Sequence, residues 1–452
     1  MNYIPHTQED IERALQAIGV NSVNDLFADI PAELQRPDID LPEGLDEVSL
    51  LRHLSELAAK NKTGGPTFLG GGPQAHFIPS VTPHLAMQSE FVTSYTPYQA
   101  EVAQGLLQAT FEYQTMMSEL TGLPISNASM YDGSSTVAEA ALLAVRQTKR
   151  EKVVVSQGVH PESREVLATY LKPLGIAIEE VALEDLVTKE VQVADDAACL
   201  IAQSPNFLGY LEAMPALAEK AHAAGALFVA VCDPLSLAVL KAPGDYGANM
   251  VVGDGQTLGN PVNFGGPNFG YMVVTEKLLR QMPGRLVGQT TDVDGKRAFV
   301  LTLQAREQHI RRSKAKSNIC SNHQLAALMA AVNMAALGPQ GLVEVATKSV
   351  QNAHALADKL AEAGLEVLPG TFFNEFAVRA PLSAVELRRQ LAKQGVHAGV
   401  PVPAHYGLGD NGLDNAVLFS ATELTRAEDI DALVNALQNV LKDARPLEAA
   451  HD

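Results

Sequence analysis

Cysteine is scarce in this 452-residue chain: Cys199, Cys232 and Cys320 are scattered and show no CxxC spacing. Such sparse usage fits a reducing compartment. Cys199 and Cys232 lie in apolar, strand-like runs and read as buried free thiols. Positive charge is also short, with 33 Lys and Arg against 52 Asp and Glu, a net charge of −19 and a pI near 5.0. Nucleic acid and anionic lipid both require a positive surface, so neither is expected as the main partner. No HxH, HExxH or CxxC spacing supports a metal, and no Walker loop or dinucleotide fingerprint supports a nucleotide. No apolar run approaches the length of a membrane span. The opening MNYIPHTQEDIERAL has no positive region followed by an apolar stretch, so no secretory signal is expected and a cytoplasmic protein is.

What is present is an ordinary globular balance, 46% apolar and 19% charged, over a length that allows more than one domain. The first sixty residues read as helices: one begins at His6-Thr7-Gln8-Glu9-Asp10 with Ile11, Leu15 and Ile18 on one stripe, and another runs through 45–60. A loop dense in Gly and Pro, FLGGGPQAHFIPSVTP, follows. Long helical patterns cover 101–120 and 134–149. Apolar strands then alternate with helices: strands 152–156, 177–181, 199–204 and 227–233, helices 161–174 and 213–224. That alternation predicts a mostly parallel sheet covered on both faces, with ligands collecting at the carboxyl ends of its strands. After Arg311-Arg312 come helices over 323–337 and 341–363, then a smaller α+β unit: strand 375–380, helix 383–394, strand 416–421, helix 426–442. The expected organisation is a helical N-terminal arm over 1–66, packing on another subunit or on the main domain. A large α/β domain over 67–338 and a small C-terminal α+β domain over 339–452 follow.

One stretch is laid out like the floor of a pyridoxal-phosphate site. VAVCDP (Val229–Pro234) ends a strand on Asp233, which could pair with a protonated pyridine nitrogen. VVGDGQTLGNPVNFGGPNFG (Val251–Gly270) is a second strand followed by a Gly- and Asn-rich loop. Gln256 stands where the essential amine is expected, and a carboxamide cannot form an imine. Lys241 and Lys277 both read as solvent-facing. Without a lysine, Asp233 reads better as a strand-end carboxylate capping the next turn. MYDGSST (Met130–Thr136) places Ser134, Ser135 and Thr136 at a helix start, as a phosphate cradle or simply as caps. FVTSYTPYQAE (Phe91–Glu101) gathers Thr93, Ser94, Tyr95, Thr96, Tyr98 and Gln99 before the long helix. These residues could orient a small polar ligand or line a subunit seam, or be capping residues and surface tyrosines. His160 and His309 are the histidines to follow, and Arg306, Arg311 and Arg312 could grip an acidic partner or a carboxylate.

Taken together, these strings resemble the glycine-cleavage P-proteins (glycine decarboxylase), and within them the N-terminal-half, or alpha, subunit of the form split over two chains. FLGGGPQAHFIPSV, SEFVTSYTPYQAEVAQGLLQATFEYQTMMSELTGL, NASMYDGSSTVAEAALLA, VVGDGQTLGNPVNFGGPNFGY and LQAREQHIRRSKAKSNIC carry the resemblance from about residue 68 to 330. It implies a fold-type I pyridoxal-phosphate-dependent transferase-like architecture. It also implies a complete enzyme, a glycine dehydrogenase (aminomethyl-transferring), that decarboxylates glycine and passes the aminomethyl group to the lipoyl arm of the H-protein. By the same resemblance the cofactor and its lysine belong to the other chain, glycine dehydrogenase subunit 2 (beta), in an α2β2 assembly. This chain alone is then inactive, with Gln256 at the lysine position and Ser134, Ser135 and Asp233 as remnants of a cofactor site. Thr93, Ser94, Tyr95 and Tyr98 are the candidates for the subunit seam and the mouth of the partner's site. The alternatives from other classes are a scaffold or binding protein on a dead enzyme fold, and an independent pyridoxal enzyme with a displaced lysine.

Overall fold

A computed structural model describes residues 5–35, 41–402, 406, 413 and 415–443. The outermost ends of the expected domains, at 1 and 452, lie outside them. The chain divides into two compact units, 1–63 and 64–452.

The first unit carries helices α1 (Gln8–Ile18) and α2 (Glu47–Ala58). Thr7 and Asp10 form a reciprocal capping box at the start of α1, and Gly19 ends it in the left-handed region. Neither helix buries a residue; Ile18, Leu51 and Leu54 all stand exposed.

In the second unit, α3 (Gln104–Thr121) leads to a short strand β1 (Ile125–Ser126) and to α4 (Gly133–Thr148). Then come β2 (Lys152–Ser156), α5 (Pro161–Leu171), β3 (Ala177–Val181), β4 (Ala197–Gln203) and α6 (Met214–Ala223). Strands β5 (Leu227–Val231), β6 (Met250–Asp254) and β7 (Gly270–Val274) complete a seven-stranded sheet of order β1-β7-β6-β5-β4-β2-β3. The five strands from β6 to β3 are mutually parallel, and β7 and β1 run antiparallel at one edge. The inner parallel strands β2, β4, β5 and β6 are mostly Val, Ile, Leu and Ala and buried on both faces, whereas the edge strand β3 carries Glu179 and Glu180 and is largely exposed. Near-continuous apolar runs of this kind are what a sheet covered by helices on two sides demands.

A hairpin, β8 (Leu286–Thr291) with β9 (Arg297–Thr302), packs on α3 through Val287, Phe299 and Leu301. The hairpin and strand β7 were not anticipated: β7 follows a Gly-rich loop directly, and its run GYMVV is too short to separate from that loop by periodicity. A long helical run, α7 (Gln324–Glu362), is broken at Gly338, whose φ of +64° precedes Pro339. It therefore corresponds to the two helices expected over 323–337 and 341–363. Although the break at Gly338 divides it, α7 is long and apolar enough to cross a membrane by length and composition alone. Its alanines account for this, and Ala327, Ala330, Ala331 and Met334 join the core beneath the sheet.

The C-terminal part builds an antiparallel sheet, β10 (Glu366–Val367), β11 (Glu375–Arg379), β12 (Val400–Pro401) and β13 (Ala416–Ser420), in the order β10-β11-β13-β12. Helices α8 (Ala384–Lys393) and α9 (Ala427–Asp443) pack on it around Phe376, Leu418, Leu433 and Leu437.

Candidate functional site

The carboxyl ends of β2, β4, β5 and β6 open onto a cleft of about 570 Å³, closed from above by the Gly-rich loop 70–76 and the start of β11. Ser134, Asp233 and Gln256 all line it, together with His160, Asp132, Asp254 and Glu375. Ser135 does not: it is turned into the protein, its N–H bound to Asp132 Oδ1 at 2.7 Å. Lys241 and Lys277 are exposed and stand outside the cleft.

Asp233 lies two residues beyond β5. Thr257 Oγ1 donates to its Oδ1 at 2.6 Å and the Leu235 N–H does so at 3.2 Å. Burial raises the carboxyl above its ordinary value, against the pull of Thr257 and the nearby His76. The His76 ring is in turn bound through Nδ1 to Glu423 Oε2 at 2.7 Å.

Both N–H donors of the Gln256 carboxamide and one acceptor position of its oxygen are engaged within the protein. Its Oε1 accepts from Gln74 N at 3.0 Å, and its Nε2 donates to Gln74 O at 2.9 Å and to Asn260 O at 2.7 Å. The amide thus pairs with one peptide unit of the Gly-rich loop as a neighbouring strand would, and ties that loop to the sheet. The tie continues through Gln74, whose side chain meets Asn374 and Glu375. Glu375 also accepts from Gly71 N. Burial pushes the Glu375 carboxyl up to about 8. No motif marked Gln74 or Glu375: the first sits in a loop and the second opens an ordinary-looking strand, and their partners are some 180 to 300 residues away in sequence.

The start of α4 has the form of an anion cradle, but carboxylates occupy it. Asp132 caps Ser135, while Asp254 accepts from Gly133 N at 3.2 Å and from Gln256 N at 3.0 Å. Burial raises Asp254 to about 6, and Asp132 pushes in the same direction. Ser134 shares a hydrogen bond of 2.9 Å with Ser163. Pyridoxal phosphate needs an amine at one end and room for a dianion at the other. Here the first position holds a carboxamide bound within the protein and the second a carboxylate. The residues present do not fit that cofactor.

Thr93, Ser94, Tyr95 and Tyr98 are absent from the cleft and form a second cluster. Tyr95 is 83% exposed. Thr96 shares a 2.7 Å hydrogen bond with Ser321. The Tyr98 hydroxyl accepts from Arg285 Nη2 at 2.8 Å, while its ring takes Arg285 at 5.3 Å and His309 at 5.4 Å. Arg285 is 4% exposed and pairs with Glu307 at 3.8 Å. Sequence reading had singled out the tyrosines and His309, but not Arg285, which follows an unremarkable Met-Pro-Gly turn.

The chain matches the model of the family "Glycine cleavage system P-protein" over residues 1–437. It is 49% identical to a probable glycine dehydrogenase (decarboxylating) subunit 1 of Moorella thermoacetica, over 98% of this chain and all of that protein. Identity to the protein of the same description from Exiguobacterium sibiricum is 48%, over 96% and 98% of the two chains. Among solved structures it is similar to a glycine decarboxylase (P-protein) of the glycine cleavage system in inhibitor-bound form. That similarity has a TM-score of 0.91 at 54% identity and covers 97% of this chain and all of the other. A NifS-like protein superposes with a TM-score of 0.62 at 10% identity, over 84% of this chain, a likeness of fold alone. The fold is that of the fold-type I pyridoxal-phosphate enzymes, an α/β unit on a mostly parallel central sheet.

Proposed function

Because the chain belongs to the glycine cleavage system P-protein family, we propose that it is the subunit of a two-chain glycine dehydrogenase (decarboxylating) that lacks the cofactor lysine. The observation that carries this reading is Gln256, a buried carboxamide whose every hydrogen bond is spent on Gln74 and Asn260. Pyridoxal phosphate in the partner subunit supplies the electron sink for loss of CO2 from glycine. The aminomethyl group then passes to the lipoyl arm of an H-protein. This chain contributes positioning, exclusion of water and a docking surface. The relatives named subunit 1 imply a subunit 2; an α2β2 assembly acting in the cytoplasm, with the arm, large and small domains near the boundaries expected from sequence, completes the proposal.

The test is reconstitution. Glycine–bicarbonate exchange should require both chains, and the isolated chain, incubated with pyridoxal phosphate and then freed of unbound cofactor by gel filtration, should be colourless. A yellow, active single chain would mean an independent pyridoxal enzyme, and a chain that never pairs with a lysine-bearing subunit would mean a scaffold. Thr93, Ser94, Tyr95 and Tyr98 are assigned to the seam and the mouth of the partner's site, where an exposed Tyr95 and an Arg285-bound Tyr98 can orient a small polar group. Tyr95→Phe and Tyr98→Phe together should lower exchange by about tenfold or more in the reconstituted complex, as expected for loss of a hydrogen bond to a positioned group. Unchanged exchange would remove these residues from the site.

A further inference from the structure

The segment 306–316 concentrates positive charge in an acidic protein. Arg306, Arg311, Arg312, Lys314 and Lys316 face a single acid, Glu307, within eleven residues of a chain whose net charge is −19. The segment is a closed excursion. Lys316 N donates to Arg306 O at 3.2 Å, so the two ends of the loop are tied to each other. Arg306 is buried beneath it, its guanidinium bound to Leu303 O, Gly284 O and Met282 O. Glu307 is buried too and is drawn to Arg285, Arg306 and His309. The base of the loop therefore uses up its own charges. Its crown does not: Arg311, Arg312 and Lys314 are exposed, and among the described residues none of them forms an ion pair. Arg312 sits at φ +51°, a setting that residues with a side chain rarely adopt and that the tied loop holds in place.

We propose that this loop is the electrostatic docking platform for an acidic protein face, that of the lipoyl-bearing carrier. The inference rests on the function proposed above and adds where and how the carrier is received. The core of a permanent subunit interface is mostly apolar, whereas the crown offers three cations and one exposed apolar residue, Ile310. A carrier that must dock and leave once per turnover gains most from charge, which raises the rate of encounter without demanding a large buried area. Nucleic acid and anionic membrane are disfavoured because so small a patch meets the field of a strongly acidic molecule on all sides. The loop also stands beside the tyrosine cluster, since His309 packs edge-on against Tyr98 at 5.4 Å. A carrier seated on the crown would bring its arm to the residues assigned to the mouth of the partner's site.

The experiment measures binding of lipoylated H-protein to the reconstituted two-subunit complex, in parallel with glycine–bicarbonate exchange. Reversing the crown with Arg311→Glu, Arg312→Glu and Lys314→Glu should weaken binding and raise the carrier KM by tenfold or more. The KM for glycine should not change. Binding by the unaltered complex should weaken as salt rises, and the reversed variant should lose most of that dependence. The charge-conserving set Arg311→Lys, Arg312→Lys and Lys314→Arg should bind within a few-fold of the original, which separates charge from side-chain shape. Unchanged carrier binding in the reversed variant overturns the proposal. So does failure of that variant to associate with its partner subunit on gel filtration, which would make the loop part of the subunit seam. Charge-dependent carrier binding without any exchange activity would support the platform and overturn the function proposed above. Exchange with charge-independent binding would do the reverse.

Discussion

Gln256, proposed to stand where the cofactor lysine is expected, holds the cleft together. Its amide joins the Gly-rich loop to the end of β6, and removing it leaves the Gln74 N–H and two carbonyls buried without partners. Gln256→Ala is therefore expected to destabilise the chain by roughly 2–5 kcal/mol, read from urea unfolding. Gln256→Lys does not recreate a cofactor site, because Asp254 still fills the start of α4; the variant with pyridoxal phosphate should show no imine absorbance. Glu375 gives a pH signature. Its carboxyl is held up to about 8 in the folded chain against an ordinary 4.5, so the folded state keeps a proton that the unfolded state gives up. Stability from this group is full below about pH 4.5 and is lost as pH rises toward 8. Glu375→Gln should flatten that slope in unfolding measured across the same pH range. A stability that rose between those limits because of Glu375 would contradict the burial seen here.

Helix α4 illustrates how closely the elements of the cleft are fitted. Its first turn lies directly on β7: a Cβ added at Gly270 would stand 2.2 Å from Thr136 Oγ1 and 2.3 Å from Asp132 O. Gly270→Ala should thus lift the helix start and lower stability by about 1–3 kcal/mol, with no comparable loss at an open glycine of ordinary φ such as Gly105. The helix itself was legible from its alanine-rich run after MYDGSST, but its cap is Asp132 rather than the serines and threonine that the sequence offered. The strands β2 and β3 were legible to the residue, since β-branched runs bounded by polar residues have few other uses. What the pattern did not disclose was that the same helix start is occupied by a carboxylate from β6, more than a hundred residues later. Local sequence gives the cradle and says nothing about what another element places in it.

At the scale of the molecule, the relatives named subunit 1 imply a partner subunit. The first unit of this chain buries no residue of either helix and leaves apolar side chains such as Ile18, Leu51 and Leu54 exposed. Addition of the lysine-bearing subunit should raise the unfolding temperature in a concentration-dependent way, as binding to the native state alone requires. Parallel sheet, helical cover and small C-terminal unit follow from the sequence, because the alternation of buried strands with amphipathic helices allows little else. The sequence also places a carboxamide, Gln256, where the imine-forming lysine is expected, and on this rests the proposal that the partner subunit holds the cofactor. Only the tertiary structure decided what takes the lysine's place. Hydrogen bonds from Gln256 to Gln74, and from Gln74 on toward Glu375, join residues that periodicity treats as unrelated. Such bonds depend on distances in space, whereas sequence patterns report only which face of a helix or strand turns away from water.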